Sequence, residues 1–184
     1  YEDNLLVSAG SGMKRSLLFL IDIKNGKVLS HIGIKGKISS APGVNNEFYF
    51  IGSDGKKLYC LNKRLEIVWS FQAKEAIKIR PVLDNALVYL CSTDCFVYCL
   101  NFEGNLKWKK HCGKIDIPPV IFENFIILKS EKDVIFSLNK HDGSLAWFFE
   151  LKNRGTDIKI IGENIAVGCI RGYLILLDAH SGKI

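Results

Sequence analysis

The chain has 184 residues, of which 48% are hydrophobic and 24% are charged, and it carries a formal net charge of +6. These values are typical of a globular chain that buries a substantial core, and they exclude a disordered one. No apolar run approaches the roughly 20 residues that a membrane-spanning helix requires, so we expect no membrane span.

A residue with an Asp or Asn side chain follows an apolar strand about every 40 positions. These anchors are Asp22, Asn62, Asn101, Asn139 and Asp178. A period of this length is typical of propellers and solenoids. Each unit contains short strands rich in β-branched and aromatic residues, separated by turns of Gly, Asp, Asn and Ser, and no helical period is sustained. The sequence therefore predicts an all-β fold of repeated four-stranded antiparallel sheets.

The units follow one another along a single propeller segment that spans residues 1–184. We expect blades at about 1–36, 37–74, 75–113, 114–152 and 153–184, of which the first and last are partial and the middle three complete. In each complete blade the innermost strand lies near a proline and the outer strand carries a tryptophan. Partial blades leave unpaired strand edges. We therefore expect the ring to be closed by missing blades or by a second copy.

The spacing of Asn, Gly and Trp makes the repeat specific. "LNKHDGSLAW" (138–147) has Gly143 and Trp147 four and eight residues after its Asn, and "LNFEGNLKW" (100–108) is one residue shorter. This string resembles the tryptophan-docking repeat of the PQQ-type, or quinoprotein-like, β-propeller family. That resemblance implies a ring of seven or eight blades, of which about five are represented here. Two units depart from the pattern, because Ser30 stands in one tryptophan position and "LNKRLEIVW" (61–69) has no Gly.

The resemblance also suggests which residues hold the blades together. An indole on an outer strand can wedge against the neighbouring blade, whereas ligand stacking is the alternative role for these rings. The expected docking residues are Trp69, Trp108, Trp147, Gly26, Gly104, Gly143 and Gly182.

Within this family the chain resembles the BamB-type assembly scaffolds and, in "DCFVYCLN" (94–101), the C-terminal propeller of acyl-adenylating enzymes of the β-alanine-activating kind. The first resemblance implies a non-catalytic scaffold for protein–protein interaction, within a larger polypeptide or assembly. The second implies, as an alternative, an accessory propeller domain of an acyl-adenylating enzyme. A further alternative is a portion of a dehydrogenase that depends on PQQ and calcium. Such enzymes have adjacent cysteines and an Asp base, whereas this chain has no Cys-Cys pair and its inner segments offer only Asp116 and Asp157. We therefore expect no cofactor and no catalytic residue in this segment.

Basic residues cluster where an outer strand connects to the next inner strand, so the repeat would gather them at one end of the ring. The expected basic face consists of Lys35, Lys37, Lys74, Lys78, Arg80, Lys110, Lys114, Lys152, Arg154 and Lys159. Such a face favours an acidic protein partner. Ordinary solvation of a lysine-rich chain is the alternative, and nucleic acid is disfavoured because no aromatic residues interleave these loops.

The chain contains six cysteines. Cys91 and Cys95 flank a turn, which would permit a disulfide or, together with His111 and Cys112, a zinc site, although the spacing is not that of a zinc knuckle. Unpaired buried cysteines at this frequency favour a reducing compartment. The cysteine content therefore predicts a cytoplasmic location.

Overall fold

The computed structural model describes residues 4–10, 15–170 and 172–184, which form eighteen strands in five antiparallel sheets. The first sheet contains β1 (Asn4–Gly10), β2 (Arg15–Asp22) and β3 (Val28–Lys35). The second contains β4 (Gly43–Val44), β5 (Phe48–Gly52), β6 (Lys57–Asn62) and β7 (Ile67–Gln72). The third contains β8 (Val82–Asp84), β9 (Leu87–Cys91), β10 (Phe96–Asn101) and β11 (Leu106–His111). The fourth contains β12 (Val120–Phe122), β13 (Phe125–Lys129), β14 (Val134–Asn139) and β15 (Leu145–Glu150), and the fifth contains β16 (Gly155–Ile161), β17 (Asn164–Cys169) and β18 (Tyr173–Asp178).

Strands in every sheet lie in the order in which they occur along the chain, which confirms the predicted all-β class of antiparallel blades. The three middle sheets have four strands and the first and last have three. No helix in the described part of the chain is long and apolar enough to cross a membrane. The boundaries between repeat units stay predictions.

The innermost strands of the middle sheets are short and begin directly after a proline. Pro42 precedes β4, Pro81 precedes β8, and Pro119 precedes β12. A proline has no backbone N–H to donate to a ladder, so it is tolerated at the start of a strand but not within one. The innermost strand of each middle sheet therefore begins only after its proline and has two or three residues.

Both faces of the middle sheets are buried, because neighbouring sheets pack face to face. In β5, Phe50 points toward the third sheet, whereas Tyr49 and Ile51 point toward the first. Four apolar clusters result, one between each pair of consecutive sheets. A single twisted sheet cannot bury both of its faces alone, and this is why the chain repeats itself.

The Asp and Asn anchors of the repeat close the turn before each outer strand. The Asn101 Oδ1 atom accepts a hydrogen bond from the backbone N–H of Asn105 at 2.8 Å, and Asn139 Oδ1 accepts one from His141 at 2.9 Å. Asp178 Oδ1 accepts from the backbone N–H of Ser181 at 2.7 Å. A short side chain with a terminal oxygen is needed to reach these N–H groups, which explains why only Asp and Asn occupy the anchor positions.

Candidate functional site

The strand order places the loops of the molecule at two opposite ends. Because every sheet runs in the same sense, each connection from an outer strand to the next inner strand lies at the same end as the hairpin between the second and third strands. We call this the basic end. It comprises the connections 36–42, 73–81, 112–119 and 151–154 and the hairpin turns 53–56, 92–95 and 130–133.

Most of the predicted basic residues lie in these loops or at the strand ends beside them, and Lys159 lies further along β16. Acidic residues of the hairpin turns face some of them: Lys114 Nζ is 2.9 Å from Glu131 Oε2, and Lys78 Nζ is 3.9 Å from Asp54 Oδ2. No carboxylate of the described residues lies within ion-pair distance of the other eight predicted basic residues. The basic end therefore keeps a net positive charge, but this charge is smaller than the sequence pattern alone indicates.

Each of the three tryptophans lies against a glycine of the following sheet. A Cβ atom on Gly104 would lie 2.8 Å from Trp69 Cδ2, one on Gly143 would lie 2.7 Å from Trp108 Cε3, and one on Gly182 would lie 2.5 Å from Trp147 Cε3. All three glycines have positive φ, where a side chain is strained. Only glycine therefore lets the indole approach the turn so closely.

Each indole N–H also donates a hydrogen bond to a backbone carbonyl of the neighbouring turn. Trp69 Nε1 donates to Phe102 O at 2.7 Å, Trp108 Nε1 to Lys140 O at 3.0 Å, and Trp147 Nε1 to Ala179 O at 3.1 Å. The indoles of Trp108 and Trp147 are buried. We propose from these contacts that the three tryptophans and their glycines dock consecutive sheets and that they do not stack on a ligand.

The two departures from the repeat face each other in the structure. Ser30, which stands in the tryptophan position of the first sheet, donates from Oγ to Arg64 O at 2.8 Å. Leu65, which stands in the glycine position of the second sheet, has a φ of 63° and is 2% exposed. Leu65 packs with the first sheet, where an indole would otherwise lie. A serine–leucine pair thus replaces the tryptophan–glycine pair at this interface.

Gly26 occupies the same repeat position as the docking glycines and has a φ of 69°. No heavy atom of the described structure lies within 4 Å of the position that its Cβ would take. Within the part of the chain that the structure describes, Gly26 shares the backbone conformation of the docking glycines without their tryptophan contact.

The carboxylates considered for a catalytic site have partners in the protein. Asp116 Oδ2 lies 3.0 Å from the ammonium of Lys129, and Asp133 Oδ1 lies 3.2 Å from the same group. Lys129 is fully buried, and it also donates to Ser130 O at 3.1 Å. Asp157 Oδ1 accepts from the backbone N–H of Ile158. These residues do not fit a PQQ–calcium site, because the Asp116 carboxylate that would bind the cation is neutralised by Lys129.

Sequence reasoning missed Lys129 as the centre of this cluster. The equivalent positions in the second, third and fifth sheets hold Gly52, Cys91 and Gly168. A lysine in a repeat position that otherwise holds a small residue was the available signal. Its aliphatic stem also packs against Gly155, where an added Cβ would lie 2.8 Å from Lys129 Cε.

None of the six cysteines forms a disulfide, and the described residues contain no group of three or more His, Cys, Asp or Glu side chains that could hold a metal ion. Burial raises the pKa of the Cys60 and Cys99 thiols to about 12 and that of Cys112 to about 11. Burial, together with the nearby Cys112, also raises the pKa of Cys91. These thiols stay protonated at neutral pH and are poor nucleophiles.

Comparison with known proteins identifies the family of this chain. Residues 14–113 match the family described as "Outer membrane protein assembly factor BamB". The chain belongs to this family. It is 26% identical over 169 residues to the outer membrane protein assembly factor BamB of Legionella pneumophila (strain Paris), which covers 80% of this chain and 42% of that protein. It is also 25% identical over 105 residues to the human β-alanine-activating enzyme, covering 52% of this chain and 10% of the enzyme.

Solved structures support the same fold. The crystal structure of BamB from Moraxella catarrhalis superposes with a TM-score of 0.80 at 12% identity, covering 100% of this chain and 60% of that one. The computationally designed Ika8 protein superposes with a TM-score of 0.76 at 10% identity, covering 96% of this chain and 55% of its own. The chain thus spans less than two thirds of each of these relatives. The recognition of a PQQ-type, BamB-like propeller repeat is confirmed.

The predicted cytoplasmic location is wrong. The family and its Legionella member are outer membrane protein assembly factors, and this points away from the cytoplasm. The cysteine argument failed for a physical reason: five of the six cysteines are buried in the packing between sheets, and four of these have raised thiol pKa values. Protonated, inaccessible thiols resist oxidation in any compartment, so their being unpaired does not report the redox environment.

Proposed function

We propose that this BamB-like propeller is a non-catalytic scaffold that binds other proteins during assembly of outer membrane proteins. The observation that carries the proposal is the family match over residues 14–113, together with the Legionella relative that aligns with 80% of the chain. Because the chain spans only part of those relatives, the role of the whole protein belongs to the proposal as well.

The basic end is the surface that we assign to partner binding. Lys74 and Arg80 in the second connection and Lys152 and Arg154 in the fourth are exposed or half-buried, and no carboxylate of the described residues neutralises them. Loops on a rigid scaffold are the usual site of recognition. Positive charge without counter-ions attracts an acidic partner and increases its rate of association.

A complementation experiment tests the function. In the organism that encodes the protein, deletion of the gene should reduce the amount of folded protein in the outer-membrane fraction, and the wild-type gene should restore it. A Lys74→Glu/Arg80→Glu/Arg154→Glu variant should fail to restore it, although it is produced at the same level.

The matched control is Lys27→Glu/Lys107→Glu/Lys183→Glu, which makes the same change of charge away from the basic end. It should restore outer membrane proteins as the wild type does. If deletion leaves those proteins unchanged, the scaffold function is wrong. If both triple variants fail equally, net charge and not the basic end is what matters.

A second candidate is an accessory propeller of an acyl-adenylating enzyme, which the match with the human β-alanine-activating enzyme favours. The gene would then encode an adenylating domain in the same polypeptide, and the purified protein would catalyse ATP–pyrophosphate exchange that depends on β-alanine. Absence of that exchange from the complete gene product would eliminate this candidate.

A further inference from the structure

One interface between sheets lacks an aromatic ring that its neighbours possess. Two residues after its tryptophan, the second sheet has Phe71, whose ring packs against the Tyr98 ring of the third sheet with centroids 5.5 Å apart. The fourth sheet has Phe149 at the same place, packed against the core that it shares with the fifth sheet. The corresponding residue of the third sheet is Lys110, which is exposed.

A cleft of about 530 Å³ lies between the third and fourth sheets at this place. Its apolar walls include Cys112, Val134 and Phe136, and its mouth lies among the loops of the basic end. Phe136 occupies the same position in β14 that Tyr98 occupies in β10. The cleft therefore lies on the side of Phe136 that corresponds to the side of Tyr98 covered by Phe71 in the preceding interface.

The rim of the cleft carries more positive than negative charge. Lys114 and Lys132 line it together with a single acid, Glu131. Lys114 Nζ pairs with Glu131 Oε2 at 2.9 Å, which leaves Lys132 without a counter-ion among the described residues. Lys110 adds a further ammonium close enough to lower the pKa of Cys112 against the effect of burial. A carboxylate beside the occupant of the cleft would be attracted by these groups.

We propose that this cleft binds an aromatic side chain that an acidic segment of a partner polypeptide presents. The inference rests on the proposed function in one respect, namely that the occupant is a protein. The apolar wall and the neighbouring Phe71–Tyr98 pair support the aromatic ring, and the charge of the rim supports the acidic flanks. Aromatic anchors seated in a pocket and surrounded by complementary charge are the usual centre of a protein interface.

The test uses three peptides and two variants of the complete protein. The probes are acetyl-Asp-Glu-Phe-Asp-Glu-amide, the same peptide with Ala in place of Phe, and acetyl-Lys-Lys-Phe-Lys-Lys-amide, and binding is followed by NMR chemical shifts. The acidic Phe peptide should bind and shift the signals of Val134 and Phe136, while the other two should bind at least about tenfold more weakly.

Lys110→Phe should abolish this binding, because its ring would occupy the cleft as Phe71 covers Tyr98. Lys109→Phe is the matched control: it makes the same change one residue earlier in β11, on the opposite face of the sheet, and it should leave the affinity within about twofold. Melting curves of both variants establish that each is folded.

Three outcomes would overturn the proposal: no binding of the acidic Phe peptide, equal binding of the acidic Ala peptide, or equal loss in both variants. Failure here is distinguishable from failure of the scaffold function. If the acidic Phe peptide does not bind the wild type, the proposed binding role of the cleft is wrong. If the Lys110→Phe gene nevertheless restores outer membrane proteins, the scaffold function is unaffected by that failure.

Discussion

Replacement of a docking glycine by alanine should separate the energy of tryptophan docking from the strain of the turn. In Gly143→Ala the new Cβ would lie 2.7 Å from Cε3 and 2.8 Å from Cδ2 of Trp108. These distances are shorter than real Cβ contacts, and the neighbour is a buried ring within a packed core and not the end of a flexible chain. The ring has to move, or the turn has to open.

Two contributions determine the expected magnitude. The φ of 72° at Gly143 costs an alanine about 1 kcal/mol. Displacement of the indole costs a further 1 to 3 kcal/mol or so from overpacking, and weakening of the Trp108–Lys140 hydrogen bond adds about 1 kcal/mol. We therefore expect Gly143→Ala to lower the free energy of unfolding by about 3 kcal/mol or more.

Gly26→Ala in the same 184-residue chain supplies the control. Its φ of 69° carries the same backbone strain, but no neighbouring atom of the described residues lies within 4 Å of the added methyl group. It should therefore cost only about 1 kcal/mol. The assay is urea unfolding monitored by circular dichroism. The transition midpoints of the two variants and the wild type are compared, and an unchanged m-value shows that the difference is one of stability.

The reasoning fails if the two variants lose the same stability, because the loss would then come from the turn and not from the indole. It also fails if Gly143→Ala is neutral, since a ring that yields without cost is not docked.

Three further predictions concern other contacts between sheets. Ser30→Trp should destabilise the protein by about 1 to 3 kcal/mol because Leu65 already fills the space, and Ser30→Trp/Leu65→Gly should recover part of this loss; a double-mutant cycle with no coupling would contradict the exchange. Asp116→Asn/Asp133→Asn should lower the free energy of unfolding by about 3 kcal/mol or more, because it leaves the buried Lys129 ammonium without a counter-ion. The control is Glu131→Gln, which removes the exposed partner of Lys114 and should change the free energy of unfolding by less than about 1 kcal/mol in the same urea titration. Burial raises the pKa of Cys60 and Cys99 from 9.0 to about 12, so the folded protein holds these protons to higher pH than the unfolded chain. The contribution of these two thiols to stability is therefore fully present below pH 9.0 and is lost as the pH rises toward 12. A Cys60→Ala/Cys99→Ala variant should show a shallower alkaline fall in its urea midpoint, and an identical fall would assign the effect to other groups.

Much of the candidate site followed from the repeat, because a repeated strand order places equivalent loops at the same end. The basic connections and their common end were predictable in this way. Their partial neutralisation was not, since Asp54 and Glu131 belong to hairpin turns that precede or follow the basic loops by many residues. A pattern of charges along the chain does not state which charges meet.

The sequence by itself determined the properties that depend on neighbours along the chain. The anchors at Asn101 and Asn139 close their turns with N–H groups two to four residues away, so their period fixes the strands and the number of sheets. Side-chain alternation within short strands is equally local, and the propeller class follows from it.

The tertiary structure decided whatever depends on contacts between sheets. Ser30 and Leu65 are 35 positions apart, and their two separate departures from the pattern meet at one interface only when the sheets pack. Likewise Lys110 leaves a cleft only because Phe136 of the next sheet faces it, and the thiols are inert only because neighbouring sheets bury them. Packing brings together residues that the repeat spaces about forty positions apart, and the energy of those contacts is not written in either segment alone.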